Sequence, residues 1–343
     1  MKKIVCLILA LVMALSLFVG CGGKEEPAPE NNTETQEPAG EKVKVALIAS
    51  SSGLGDRSFN DAAWEGFQKA ETELGVEIKV VEPEGVADYQ SAAASLANAG
   101  YQLIFATGND WGDTLTEVAA QYPEVSFVGL NVTATGDNVA VAQTADNEIG
   151  FMVGALAAMM SQSGTVGFIG GKEVPSQVRF QVGYAEGVAY INADAEVLTT
   201  YVGAFNDPTT GKEYALELIN QGADVIFHTA GKSGEGMFEA VKENEGVYAS
   251  GVDSNQDYIV EGKVLTTAEK RLGNIAYDMI KKVVDGAFTA GINVYDLAND
   301  GVGITDMEFT KDVIGEENIA KLDEIKAGII DGSIVVTDTY DQQ

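Results

Sequence analysis

Residues 42–74 read KVKVALIASSSGLGDRSFNDAAWEGFQKAETEL, and the two ends of this stretch obey different periods. Val43–Ala49 is a short, mostly apolar run of the kind that forms a strand buried on both faces. Asn60–Leu74 instead carries Trp64, Phe67, Ala70 and Leu74 at helical spacing. Between them lies a polar loop, Ser50–Asn60. Strand, loop and helix are the first half of a unit that needs a second, parallel strand to be complete.

The pattern repeats outward along the chain. Strands are expected at Glu77–Val81, Leu103–Thr107, Ser126–Leu130 and Val139–Gln143, with helices at Tyr89–Ala99 and 113–120. A second cycle starts with a helix at 149–161. It continues through strands Thr165–Ile169, Glu196–Tyr201, Val225–His228 and Val247–Val252, with helices Gln177–Asn192, Pro208–Gln221 and Gly234–Glu243. Such alternation predicts an α/β protein of parallel sheets covered by helices on both faces. A break near Asp146 divides it into two lobes. The expected division is 42–145 plus about 253–285 for the first lobe, and 146–252 plus about 286–343 for the second. Ligands of open parallel sheets bind beyond the carboxyl ends of the strands. The loops Ser50–Asn60, Gly108–Asp113, Gly170–Phe180, Thr229–Gly236 and Asp253–Asp257 are therefore expected to line a cleft between lobes that close by a hinge.

The N-terminus reads differently. Lys2 and Lys3 precede an uncharged apolar run, Ile4–Val19, then Gly20 and Cys21. The run is short for a spanning helix, which takes about 20 apolar residues, and has the flanks of a signal peptide. Small residues before a cysteine resemble a bacterial lipobox. Cleavage is expected to remove residues 1–20, after which Cys21 carries diacylglycerol and the new N-terminus an acyl chain such as palmitate. Two or more chains suffice for stable attachment to the extracytoplasmic face of the cell membrane. The other readings are an ordinary secretory signal or an uncleaved anchor. Residues 21–41, rich in Glu, Asn, Thr and Pro, hold too little apolar area to fold and are expected to be a disordered tether.

Charge and composition exclude several functions. The formal charge of −31 becomes −33 once Lys2 and Lys3 leave, which opposes binding to nucleic acid or anionic lipid. Cys6 leaves with the signal, so no disulfide can form within the mature chain. With one histidine, His228, at a strand end, no His/Cys metal cluster, Ser-His-Asp triad or Cys-His pair can be assembled. No metal or cofactor is expected, and His228 reads as structural or ligand-adjacent.

Several motifs share an order. Gly55-Asp56-Arg57-Ser58-Phe59-Asn60, followed by Ala63-Trp64-Glu65-Gly66, resembles the D-[KR]-[SG]-F-N…G signature of the basic membrane protein (BMP) family. Further agreement comes from Gln121-Tyr122-Pro123, Val166–Gly171 with Pro175 and Phe180, and Gly183-Tyr184 with Gly187-Val188. It extends through Asp224–His228 with Ala230-Gly231 and Gly234, Gly251–Ser254 with Gln256, and Val264–Thr267 with Lys270-Arg271. The resemblance spans roughly 42–310. It implies a type I periplasmic-binding-protein fold, two parallel-sheet α/β lobes joined by a hinge, in a nucleoside-binding lipoprotein that serves an ABC permease and is not an enzyme.

The resemblance also implies a site. Phe59 and Phe180 take the positions that sandwich the base in the family, and base stacking is worth about 1–3 kcal/mol. Asp253 and Lys270 match the family's ribose-binding pair. Asn60, Asp113 and Gly231 are candidates for polar and backbone contacts, with Asp110 nearly interchangeable with Asp113. Each has a plainer reading: a core phenylalanine at a helix start for Phe59, an N-cap for Asp253, a solvated helix lysine for Lys270. Two departures bear on base preference. Ser50 stands where the family often has an aspartate, and Lys232 where it usually has glycine. A purine nucleoside is the expected ligand. The alternatives are a sugar or other small polar metabolite in the same fold, a surface nucleoside-processing enzyme, or a sensor or adhesin that binds without transport.

Overall fold

The structure is a computed structural model describing residues 42–339, so the expected signal peptide (1–20), Cys21 and the whole expected tether (21–41) fall outside the described residues. Among the described residues the strands are β1 (Lys44–Ile48), β2 (Glu77–Val81), β3 (Leu103–Thr107), β4 (Ser126–Leu130), β5 (Val139–Thr144) and β6 (Thr165–Gly170). They continue as β7 (Glu196–Tyr201), β8 (Val225–Thr229), β9 (Tyr248–Asp253), β10 (Val264–Lys270), β11 (Gly291–Tyr295) and β12 (Val302–Ile304). The helices are α1 (Phe59–Leu74), α2 (Tyr89–Asn98), α3 (Thr114–Gln121), α4 (Asp146–Met160) and α5 (Pro175–Ile191). They end with α6 (Pro208–Asn220), α7 (Gly234–Glu243), α8 (Leu272–Val284), α9 (Lys311–Ile314) and α10 (Glu316–Ile330).

The strands form two six-stranded sheets, ordered β11-β5-β4-β3-β1-β2 and β12-β10-β9-β8-β6-β7. Pairing is parallel throughout, except that the edge strand β12 runs antiparallel to β10. Alternation along β1 shows why helices cover both faces. Val45 and Leu47 pack with α1 and α8, while Ala46 and Ile48 pack with α2 and α3. The second sheet is likewise sandwiched, its α4–α5 side holding Phe168 and Phe227 and its α6–α7 side Ile169 and Ile226. All eight of these side chains on β1, β6 and β8 are fully buried.

The lobe boundaries differ from the sequence expectation at the C-terminal end. Residues 264–270 pair with β9 in the second sheet, not the first, whereas 291–295 return to the first sheet beside β5. The chain crosses between lobes three times: before α4, before α8, and between β11 and β12. The physical reason lies at α8, which packs on α1 so closely that a Cβ on Gly66 would sit 2.2 Å from the carbonyl oxygen of Gly273. In the second lobe α5 lies against α4 with comparable intimacy. A Cβ on Gly183 would stand 2.1 Å from the Asn147 oxygen, and one on Gly187 2.0 Å from that of Phe151. Those glycines set the height of α5 and hence of Phe180 near its start.

Candidate functional site

The strand ends of both sheets face one cleft. It encloses ≈ 540 Å³ of empty space counted to its mouth. All five expected loops contribute, through Ser50, Asn109, Ser176, Gly231 and Asp253 among others. Three more strand ends join them. Asn131 follows β4, Phe205 follows β7, and Lys270 closes β10. Lys270 stands in a motif of the quoted series, whereas Asn131 and Phe205 carry no signal in the sequence, because isolated polar or aromatic residues after a strand look like any loop.

The first-lobe wall is built around Asp56. Its buried carboxylate accepts from the backbone N–H groups of Ser58 (3.0 Å), Asn60 (3.0 Å) and Asp61 (3.2 Å), and from Asn60 Nδ2 (2.8 Å). The three backbone groups are unpaired donors at the start of α1, so the carboxylate caps the helix and favours its positive end. Burial raises its pKa, and the hydrogen bonds oppose that rise. Asn60, fully buried, does not line the cavity. Its Oδ1 accepts from Ser50 N at 2.9 Å and its Nδ2 donates to Ser50 Oγ at 2.9 Å, so it braces the loop after β1. Its structural role is to hold Ser50 and Asp56.

At the loop after β3 the structure separates the two aspartates. Trp111 is buried and stacks on Tyr89 with ring centroids 4.7 Å apart. That anchors a 3-10 turn, Asn109–Trp111, and turns Asp110 into the cavity. Asp113 lies exposed beyond the turn and does not line the cavity, so the carboxylate contributed by this loop is Asp110. Asp110 also bridges the cleft, since Lys172 Nζ of the second lobe lies 2.9 Å from its Oδ1. Beside it, Ser176 Oγ donates to Asn109 Oδ1 across the same gap at 3.0 Å.

The second-lobe wall carries the charged pair. Lys270 Nζ is buried 3.1 Å from Asp146 Oδ1 and 4.0 Å from Asp253 Oδ1. It also faces two aromatic rings, 4.8 Å from the centroid of Phe180 and 5.5 Å from that of Phe59. The four residues Phe59, Phe180, Asp253 and Lys270 thus meet in one place, with Asp146, unmarked in the sequence except as a lobe boundary, completing the ion cluster. Asp253 adopts a left-handed backbone (φ 69°), which Asp tolerates better than most residues. Its carboxylate accepts from Ser58 Oγ of the first lobe. Burial pushes its pKa up to about 6, with Lys270 and Ser58 pulling the other way. Lys270 is a cavity residue at the end of a strand and not a solvated helix lysine. Gly231 lines the cavity at φ 53°, a left-handed turn residue that presents backbone there.

Gln177, 6 % exposed, lines the cavity from the start of α5, next to Thr229 Oγ1. His228 is fully buried and does not line the cavity. Its Nε2 pairs with Gln256 Oε1 at 3.1 Å, and burial drives its pKa down to about 4, so it is a neutral, structural imidazole. Among the described residues, no group of three or more His, Cys, Asp or Glu side chains is arranged to hold a metal ion. An aromatic pair with a buried carboxylate and ammonium beside it suits a flat ring joined to a polyhydroxy group.

The model of a family described as "ABC transporter substrate-binding protein PnrA-like" matches residues 42–339. An ABC transporter nucleoside-binding protein of Lactococcus lactis is 31% identical over 359 residues, 98% of this chain and 99% of that protein. An uncharacterised lipoprotein of Pyrococcus abyssi is 33% identical over 88% of this chain and 76% of its own. Among solved structures, an ABC-system solute-binding protein of Aeropyrum pernix superposes with a TM-score of 0.80. It is 29% identical and covers 86% of this chain and 93% of that one.

Proposed function

The chain belongs to the family of PnrA-like substrate-binding proteins of ABC transporters, and on that premise we propose that it captures a nucleoside, a purine nucleoside first of all, for delivery to an ABC permease. The observation that carries the reading is the meeting of Phe59, Phe180, Asp253 and Lys270 in one inter-lobe cavity. The two rings offer faces for a base, and the carboxylate and ammonium offer an acceptor and a donor for vicinal ribose hydroxyls, where charged hydrogen bonds are the strong ones. The name of the Lactococcus relative supports the ligand class. The family's role as binding proteins supports a carrier and not an enzyme.

In the same reading the protein is held at the extracytoplasmic face of the membrane by lipid on Cys21, in line with the lipobox-like segment and the lipoprotein relatives. Cys21→Ala should release it from the membrane or leave it uncleaved. The function itself is tested by calorimetric titration with purine and pyrimidine nucleosides, their free bases and ribose. A nucleoside should bind more tightly than its base, a 2′-deoxynucleoside should fall between them, and Asp253→Asn should erase most of that gap. Binding of sugars with no binding of any nucleoside would overturn the reading.

A further inference from the structure

We propose that Asp338 is a positioning residue for ligand capture: through Arg179, the C-terminal tail clamps the point where the chain first crosses between lobes. The inference deepens the carrier role proposed above and rests on it. Arg179 stands immediately before Phe180 on α5, is 2 % exposed, and does not line the cavity. A guanidinium is all donors and no acceptor, so burying it demands several oxygens around it. Asp338 supplies two, with Arg179 Nε donating to Oδ1 at 2.8 Å and Nη2 to Oδ2 at 2.7 Å. Nη1 donates to the carbonyl of Thr144, the last residue of β5, and Nη2 also to Asn147 Oδ1 at 3.2 Å in the first turn of α4. Arg179 thus holds both ends of the crossing from its place in the second lobe.

At that crossing the connections between the lobes are tied together. Thr144 Oγ1 donates to Asp146 Oδ1 at 2.6 Å, and the same oxygen holds Lys270 Nζ, which ends β10 at the second crossing. The N–H of Ala145 donates to the Tyr295 carbonyl at 2.8 Å, and that of Leu297 to Glu148 Oε2 at 2.9 Å, which joins the first crossing to the third. The angle between the lobes is therefore set at a knot that Arg179 holds, and Asp338 holds Arg179. The tail itself is fastened along its length. Ile334 and Val336 pack on the second-lobe core with Val335 exposed between them. Ile334 N donates to the Gly328 carbonyl at 2.8 Å and Thr337 N to Glu186 Oε2 at 2.9 Å. Asp338 does not line the cavity, yet a bidentate charged pair at the knot favours one arrangement of the lobes over others. A loosened knot populates the binding-competent arrangement less, and every ligand then loses affinity by the same factor.

The test compares wild type with Asp338→Asn, which turns an amide N–H toward the guanidinium, and with Asp338→Ala, which leaves a hole for a small carboxylate. Adenosine, inosine and 2′-deoxyadenosine are titrated well below each protein's unfolding midpoint, where a loss of global stability alone leaves affinity unchanged. Both variants should bind all three ligands about five-fold more weakly or worse, by a common factor, as expected of a residue that touches no ligand. Acetate should restore Asp338→Ala further than chloride at equal ionic strength, because only a carboxylate rebuilds the bidentate pair. Should Asp338→Ala not fold, Asp338→Asn carries the test. Wild-type affinity in the folded variants, a loss confined to one ligand, or equal recovery in the two salts would overturn the proposal. If no nucleoside binds wild type, the nucleoside reading has failed on its own, and the clamp is judged in ligand-free protein by amide exchange at residues 144–149. Exchange there that is faster in Asp338→Asn than in wild type, relative to β3, supports the clamp, and matched exchange overturns it.

Discussion

Two buried carboxylates line the same cavity from opposite lobes, and they differ in what their own chain has done for them. Asp56 takes four donors from residues within five positions of itself. Asp253 takes one serine hydroxyl from the other lobe and stands 4.0 Å from an ammonium that lies closer to Asp146. A carboxylate saturated by local donors is part of the scaffold. One that is desolvated and under-bonded has capacity for a ligand and a proton affinity to match. Lining a cavity is thus a weaker sign of ligand contact than the number of lone pairs left over.

The largest expected effect would break this contrast at its scaffold end. Asp56→Ala strands four donors at a buried helix start and should cost about 3–5 kcal/mol in denaturant unfolding, as the loss of one partner from a buried charged network does. Asp253→Asn, whose new side chain suits the left-handed backbone, should cost under about 1 kcal/mol in the ligand-free protein. Equal destabilisation would erase the distinction.

The two phenylalanines sharpen it next. Phe180 is fully buried and packs edge-on against Phe227 with centroids 5.9 Å apart, whereas Phe59 is only half-buried. Both alanine variants should lose about 1–3 kcal/mol of nucleoside binding. Phe180→Ala alone should also lose about 3–5 kcal/mol of stability. A Phe59→Ala variant as unstable as Phe180→Ala would make Phe59 a core residue.

The third effect is a pH dependence with a worked sign. Asp253 keeps its proton up to about pH 6 in the folded state, while the unfolded chain releases it near pH 4, so its contribution to stability is lost as pH rises across that window. His228, held down to about 4, does the opposite. The unfolded chain gains a proton below about pH 6.5 and the folded one does not, so stability is lost as pH falls. The two slopes oppose each other. Removing one with Asp253→Asn should leave a variant that loses about 2 kcal/mol more than wild type between pH 6.5 and 4.5. Parallel stability profiles for the two proteins would show that Asp253 titrates normally.

The smallest effect concerns the bridge across the mouth. Lys172 and Asp110 are 33 % and 17 % exposed, a setting in which ion pairs contribute about 1 kcal/mol or less. Lys172→Ala should weaken ligand binding by at most about five-fold and reduce its sensitivity to salt, seen by titration at low and high ionic strength.

Nine of the twelve strands were legible from apolar runs bounded by polar loops, because buried parallel strands leave that mark wherever they occur. β11 and β12 were not: GINVY is half exposed at a sheet edge and VGI is three residues long. Val264–Thr267 was legible as a motif, but its sheet was not, since pairing between β9 and β10 is a tertiary choice. In the site, Phe59, Phe180, Asp253 and Lys270 were readable through the shared order of their motifs. The choice between Asp110 and Asp113 depended on the burial of Trp111, which no local pattern announces. Asp56 stood within the quoted signature, yet its role as a cap emerged only from the donors around it.

The triple crossing between lobes carries a consequence for how the molecule comes into being. The first sheet lacks its edge strand until residue 295 of 343 is available, and the second lacks its own until residue 304. Neither lobe is a continuous piece of chain that can settle while the rest is still being delivered. Contacts of such long sequence separation form late and slowly. A polypeptide threaded N-terminus first across a membrane would therefore stay pliable until nearly all of it has emerged, and no fragment ending before β12 should yield a self-standing domain.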